Sequence, residues 1–505
     1  MTTSACITEK IRDTDIPIDK EVDSTTEITP ISYTLFSRGQ RIIIISLVSF
    51  TGLLSPLSST LYTPAIPKIA KELNVSISAV NSTITSYLIF QGITPTIWGS
   101  IGDSLGRRRL YVTTLSVYVA ACIGLSISNS YAAVLVLRAL QATGSAPVSA
   151  LGAGIIADII HISERGKFVG MYSALGGLGT AFGPVLGGIF AQYTGWHGIF
   201  FFLLALSAAT LILLVLVLPE TLRSIVGNGS TIPSRYLQPP LPCLRPPISH
   251  QPSPLPPKRK VDLLGTFRVM KEPDIICSLV FTGICFTVWQ MCMVATSTLY
   301  AERYELNELK IGLTYISNGI GSLCASITTG KILDYDYKRQ LRRESADMSM
   351  VSDKVVMIER ARIRSLRIPT PLFIASTIAF GWVIQSHCHI SISIILSFFV
   401  GGFDTCILAT FSTLIIDLFE NQSSTATASL NLIRCLFAAG GASAIQPLIE
   451  CVDVGWAFTI LGFICILASP TVLAEYRYGS QWRAKRQRRI DASQGWGTGS
   501  SMGAL

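Results

Sequence analysis

Three charged residues stand inside long apolar runs of this chain. Arg138 lies in Leu137-Arg138-Ala-Leu-Gln141-Ala142-Thr-Gly144, Arg434 in Asn431-Leu-Ile-Arg434-Cys435, and Asp404 in Gly401-Gly402-Phe-Asp404-Thr405. A charge in hydrocarbon costs roughly 2.5–3.5 kcal/mol on insertion scales, so such residues face a partner or a water-filled path. An arginine there can compensate an anionic solute. A carboxyl group can carry a proton, because desolvation favours its neutral form and a neighbouring guanidinium its charged form. The alternatives are structural: a fixed Asp404–Arg434 pair, and an Arg138 that snorkels or pairs within the fold. Gln91, Gln290 and Asn318, with Tyr62, Asn81 and Tyr87, are further polar groups that could line a cavity, although such residues also simply bond neighbouring helices. No Ser/His/Asp set, metal-ligand cluster or nucleotide loop is visible, and the 5 histidines lie at loops or run ends. No enzyme, cofactor or metal is expected.

A second constellation has a different chemistry. Gly99-Ser-Ile-Gly102-Asp103-Ser-Leu-Gly106-Arg107-Arg108-Arg109 links two apolar runs, 79–101 and 110–127. Gly102 and Gly106 suit a tight reversal, and the arginines suit a loop retained in the cytoplasm. Asp103 at the boundary needs a partner. Asp158, at the end of the fourth run, is within reach of the arginines, and Ser423-Ser424-Thr425 opens a helix whose dipole would attract Asp103. Asp103 facing that helix start would latch two parts of the molecule in one conformational state. The plainer reading is a positive loop that only sets topology.

Long helices must position these groups. The 505 residues have a mean hydropathy of +0.50 and only 14% charged side chains, which excludes an ordinary soluble domain. Runs of about 20 apolar residues, enough to span a bilayer, fall near 42–63, 79–101, 110–127, 132–157, 168–192 and 196–218. They resume near 274–298, 310–333, 370–388, 390–416, 425–449 and 455–474. The expected fold is an all-α integral membrane protein of 12 transmembrane helices in two six-helix bundles. Its parts are a disordered tail 1–41, a bundle 42–218, a Pro-rich linker 219–273, a bundle 274–474 and a basic tail 475–505. The net charge of +9 reads as topology and not as nucleic-acid binding: with both termini and the linker inside, only Lys68, Lys71, Arg303 and Lys310 fall in outer loops. The loop between the eighth and ninth runs, with Arg360, Arg362, Arg364 and Arg367, reads as a solvated basic loop in preference to a surface helix. The 12 cysteines show no metal-ligand spacing and read as packing residues. At the end of the eighth run, Gly330-Lys-Ile-Leu-Asp334-Tyr-Asp336-Tyr-Lys338-Arg339 echoes the 99–109 stretch and suggests an internal repeat.

The string G-x-x-G-D-x-x-G-R-R-R resembles the signature loop between helices 2 and 3 of the major facilitator superfamily. Gly179-Thr-Ala-Phe-Gly183-Pro184-Val-Leu-Gly187-Gly188 resembles the antiporter motif of its drug exporters, and its physical content is close helix packing beside a bend. Arg138-Ala-Leu-Gln141 resembles the family's R-x-x-Q-G motif, linked to proton coupling or substrate contact, with Ala142 in the glycine position. Ser58 to Pro67, Tyr87-Leu-Ile-Phe-Gln91-Gly92 and Pro219-Glu220-Thr-Leu-Arg223 are similar to fungal 12-span drug:proton antiporters of the quinidine-resistance type. The resemblance implies a monomeric plasma-membrane exporter that binds a small organic substrate and protons, works in a lipid bilayer and binds no nucleic acid. Its lead substrates would be amphipathic drugs or fungal metabolites. A carboxylate exporter, in which Arg138 and Arg434 compensate the substrate, and a non-transporting receptor-like protein are the alternatives. The first run, 42–63, lacks the acid that many such exporters carry.

Overall fold

In hydrocarbon a backbone polar group has no water to bond, and a helix satisfies its groups within one segment. The computed structural model describes residues 34–231, 238–241, 265–346, 358–419 and 423–499; the side chain of Asp103 is outside that description, as are the N-terminal tail 1–33 and most of the Pro-rich linker. Among the described residues the regular elements are helices. They are α1 (Arg38–Thr60), α2 (Ile66–Glu72), α3 (Ile77–Leu105), α4 (Arg107–Ile127), α5 (Tyr131–Ser145), α6 (Pro147–Ile159), α7 (Ile162–Thr194) and α8 (Trp196–Val217). Short α9 (Arg223–Val226) and α10 (Gly265–Met270) lie within the two ends of the linker. Then come α11 (Pro273–Arg303), α12 (Glu308–Ala346), α13 (Ile358–Ile363), α14 (Pro369–Gln385), α15 (Ile390–Leu418), α16 (Ser423–Val452) and α17 (Val454–Gly499).

Local chemistry explains the starts and breaks. Ser37 opens α1 with a reciprocal cap: its Oγ accepts from Gln40 N at 3.2 Å and Gln40 Oε1 accepts from Ser37 N at 2.9 Å. Ser76 caps α3 by accepting from Ala79 N at 3.2 Å. Pro147 has no N–H to continue α5, so one apolar run becomes two helices, α5 and α6.

Ten stretches among the described residues are long and apolar enough to cross a membrane. Two further long helices, α3 and α12, occupy the places of the second and eighth expected spans. Their lower hydropathy has a physical reason: α3 is packed between α5 and α16, and α12 between α7 and α15. A helix enclosed by protein on two sides has less need of an apolar surface. These two helices also form the seams between the N-terminal set, α1–α8, and the C-terminal set, α11–α17. One seam is α3 on α16 and the other is α7 on α12.

Two expectations change. The basic tail after 474 is not separate from the bundle, because α17 runs unbroken to Gly499. The echo at 330–339, which lacks the glycine turn, lies within α12, which continues through it to Ala346. The basic loop before the ninth run is partly helical, and Arg362 in it is buried. Residues 347–357 of that loop lie outside the described residues.

Candidate functional site

Arg138 is fully buried on α5, with 0% of its surface exposed. Its guanidinium carbon stands 4.5 Å from the Tyr62 ring centre and 4.2 Å from that of Tyr87. Its Nη1 donates to Gln141 Oε1 at 2.7 Å and to Ser58 O at 3.2 Å. Gln141 is held in turn, its Nε2 donating to Cys122 Sγ at 3.4 Å. Each ring is fixed as well: Thr83 Oγ1 donates to Tyr62 Oη at 2.9 Å, and Tyr87 Oη donates to Ser55 O at 3.1 Å. Gly144 lets α5 come close enough for this, since a Cβ there would stand 2.5 Å from Tyr118 N on α4. Cation–π contacts contribute about 0.5–2 kcal/mol each, and hydrogen bonds to a charged donor about 1.5–3 kcal/mol each. Together they offset a roughly 2.5–3.5 kcal/mol insertion cost, so the fold holds Arg138 without an acid. Its Nε and Nη2 are buried without a hydrogen-bond partner, and among the described residues no carboxylate pairs with it.

Arg434 on α16 is arranged in the same way. Its guanidinium carbon lies 4.5 Å from the Phe286 ring centre, and its Nη2 donates to Asn431 Oδ1 at 2.9 Å. Asn431 Nδ2 then donates across the seam to Gln91 O at 3.2 Å. Gln91 Nε2 reaches Ser55 Oγ at 3.4 Å, and Ser55 O holds Tyr87 beneath Arg138. These contacts link the neighbourhoods of the two guanidiniums by way of Gln91 on α3, Ser55 on α1 and the Tyr87 ring. Asp404 is buried, 4% exposed, on α15. Arg434 is the cation whose field reaches it, but the two form no ion pair among the described residues, so the fixed pair offered as the structural alternative is not made. Asn318 is a strut: its Oδ1 accepts from Trp289 Nε1 at 3.3 Å and its Nδ2 donates to Ser397 O at 3.1 Å. Gln290 is half-buried on α11, and Asn81 is buried on α3. A groove of about 490 Å³ between α12 and α15, lined by Leu313, Ile320, Ile394 and Phe398, contains no charged residue and is separate from this site.

The 99–109 stretch is built differently from its sequence reading. Gly102 and Asp103 are helical, within α3, and the reversal is made by Gly106 alone, with φ +106°. Gly102 serves packing, as a Cβ there would be 2.9 Å from Leu110 and Leu151 side chains, whereas one at Gly99 would meet open space. Arg107 Nε pairs with Asp158 Oδ2 at 3.3 Å, as expected. Arg108 does not join it; its Nη2 donates to Val215 O at 2.7 Å and its Nη1 to Leu218 O, closing the end of α8. Arg109 is exposed. The latch between Asp103 and the start of α16 falls outside the described side chains.

Two sets of residues escaped the sequence reading. Glu220 Oε1 accepts from Arg107 N at 2.8 Å and Oε2 from Arg108 N at 3.3 Å, placing a carboxylate on the positive N-terminus of α4. Its position next to a span end in the Pro219-Glu220-Thr string was the available signal. In the C-terminal set, Arg362 Nε pairs with Asp417 Oδ2 at 2.9 Å, and its Nη1 donates to Leu333 O at 3.1 Å. This matches the Arg107–Asp158 bridge. The signal was Leu414-Ile-Ile-Asp417-Leu418, ending α15 as Ile155-Ile-Ala-Asp158-Ile159 ends α6.

The glycines of the 179–188 string divide between two neighbours. Gly179, Gly183 and Gly187 face α1, where a Cβ would crowd Leu53, Thr60 and Leu61, and Thr60 Oγ1 donates to Gly179 O at 3.3 Å. Gly188 faces α12 across the seam, where a Cβ would stand 2.5 Å from Glu308 O and 3.2 Å from Gly312 Cα. Pro184 lies inside α7 beside the same contact.

Known proteins resemble this chain. A sequence model of the Major Facilitator Superfamily matches residues 48–442. Citrate exporter 1 of Aspergillus niger is 35% identical over 472 residues, covering 91% of this chain and 90% of that protein. Quinidine resistance protein 1 of Saccharomyces cerevisiae is 31% identical over 516 residues, covering 95% and 90%. A crystal structure of a bacterial homolog of the human lysosomal transporter Spinster shares the fold, with a TM-score of 0.62 at 12% identity, covering 89% of this chain and 99% of that one. By the match over residues 48–442 and by these relatives, the chain is a transporter, not an enzyme, and belongs to the major facilitator superfamily, in the branch of fungal drug:proton antiporter-like proteins.

Proposed function

We propose that this transporter exports small organic anions, carboxylates foremost, in exchange for protons, by alternating access between the two helix sets. The observation that carries the reading is Arg138: a fully buried guanidinium with two unpartnered nitrogens and, among the described residues, no acid paired with it. Arg434 adds a second cation without an ion pair among the described residues. A carboxylate accepts two parallel N–H bonds from a guanidinium, the strongest neutralisation available there. The citrate exporter of Aspergillus niger supports the same class. Asp404 is the proposed proton carrier. Efflux of an anion and entry of a proton both move positive charge inward, so an inside-negative potential, worth about 2.3 kcal/mol per charge per 100 mV, drives both. In this reading the twelve expected spans form two six-helix bundles, the termini are cytoplasmic, the protein works as a monomer in the plasma membrane, and Asp103 with Arg107 and Asp158 forms the inner latch.

A second reading, export of amphipathic neutral or cationic compounds, is favoured by Asp404, a buried acid with no ion pair among the described residues, and by the aromatic faces of Tyr62, Tyr87 and Phe286. Efflux from cells expressing the chain, with carboxylate, neutral and cationic compounds and with or without a protonophore, separates the two. Carboxylate efflux that collapses with the proton gradient supports the first reading; cation efflux with no carboxylate efflux replaces it by the second.

A further inference from the structure

The end of the C-terminal set where α13 meets α17 carries arginines of two kinds. Arg362, Arg483 and Arg486 point inward, pairing with Asp417 at 2.9 Å, with Glu359 at 3.4 Å, and with Asp274. Arg360 and Arg367 are exposed, and both guanidiniums stand over the Tyr476 ring, at 5.8 and 6.0 Å from its centre. The acids nearest in sequence cannot neutralise them. Glu359 is turned inward to Arg483, and Glu475 is buried, accepting from Ser278 Oγ at 2.6 Å. Directly adjoining this pair, α14 and α17 present bare apolar side chains: Ile368 is 70% exposed, Leu473 63% and Leu372 44%.

We propose that this corner binds one anionic phospholipid of the bilayer. Arg360 and Arg367 would hold its phosphate oxygens, Tyr476 would sit at headgroup level, and an acyl chain would lie over Ile368, Leu372 and Leu473. Guanidiniums are suited to phosphate, and tyrosine to the membrane–water boundary. A soluble phosphate compound would use the cations but leave the apolar strip without a role, so the combination selects a lipid. The exposed Arg477, Lys485 and Arg488 on the extension of α17 add to the local positive field.

The test uses the full-length protein purified in detergent, with thermal unfolding followed during titration with phosphatidylserine or phosphatidylcholine. Phosphatidylserine raises the melting temperature of the parent protein and phosphatidylcholine does not. Each arginine near an anionic headgroup contributes about five-fold in affinity, so R360Q/R367Q weakens phosphatidylserine binding by about 25-fold while melting like the parent in phosphatidylcholine. Ile368→Ser with Leu473→Ser, which leaves both arginines, also weakens phosphatidylserine but leaves binding of the soluble headgroup glycerophosphoserine unchanged. Equal stabilisation by the two lipids, undiminished phosphatidylserine affinity in either double variant, or glycerophosphoserine binding as tight as the lipid would overturn the assignment.

Discussion

Arg138 combines two properties that rarely coexist: it is fixed in place and its charge is uncompensated. Tyr62, Tyr87 and Gln141 define the plane of its guanidinium. Lysine has neither that plane nor the fork of donors. Arg138→Lys should therefore lower carboxylate transport in proteoliposomes by about 10- to 100-fold, the loss of a bidentate charge-assisted contact, with membrane expression retained. Near-parental transport would show that the charge alone, or nothing at this position, matters. Gly106 makes a separate prediction. Its φ of +106° is costly for any side chain, and a Cβ would stand 2.5 Å from Glu220 Oε2. Gly106→Ala should lower the melting temperature of the purified protein. Glu220→Ala, which removes an acceptor for Arg107 N and Arg108 N, should cost about 1–2 kcal/mol, as loss of a helix cap does. Unchanged melting of both variants would contradict the cap.

Ion pairs at helix ends add to the packing of helix faces within each set. Arg107–Asp158 joins the start of α4 to the end of α6, and Arg362–Asp417 joins α13 to the end of α15. If they are counterparts, a double-mutant cycle on Arg362→Gln and Asp417→Asn should give a coupling of about 1–3 kcal/mol, similar to that of Arg107→Gln with Asp158→Asn. Additive effects in either cycle would deny that pair a role. The apolar runs made the long helices legible, because a bilayer-length run has few other ways to bury its backbone. Arg138–Gln141 and Arg107–Asp158 were legible too, each from a short or spatially obvious relation. The C-terminal counterpart was sought at 330–339, where the glycine turn is missing. The structure instead pairs Arg362, later in the chain, with Asp417, a relation between residues too far apart in sequence to be read from the 330–339 pattern. The α17 extension was hidden for another reason. Arg483, Arg486 and Arg489 read as a charged tail, but their acids, Glu359, Asp274 and Glu272, come from α13 and the start of α11, far away in sequence.

Across the whole molecule, the two sets meet through contacts that can slide. Gly188 against Gly312, Ala181 against Gly319 and Gly92 against Cys435 bring backbones together with little side chain between them. Thr85 adds a hydrogen bond to Ser443 Oγ at 2.6 Å, and Asn431 one to Gln91 O at 3.2 Å. Gly188→Leu should wedge the α7–α12 seam and slow transport at least about ten-fold, on the scale of the 1–3 kcal/mol that overpacking costs. Substrate binding at Arg138, read by tryptophan fluorescence, should persist. A parental rate would mean that this seam does not move during the cycle. The reading of the protein as an exporter of organic anions rests on Arg138, with which no carboxylate pairs among the described residues, and on Arg434 as a second cation. The most direct measurement is citrate transport in proteoliposomes holding the purified chain, with the pH gradient and the membrane potential imposed separately. Citrate movement that requires the protein, is driven by both gradients and is abolished by Arg138→Ala is the predicted result. Robust movement of a cationic drug under the same gradients, with citrate immobile, would contradict it.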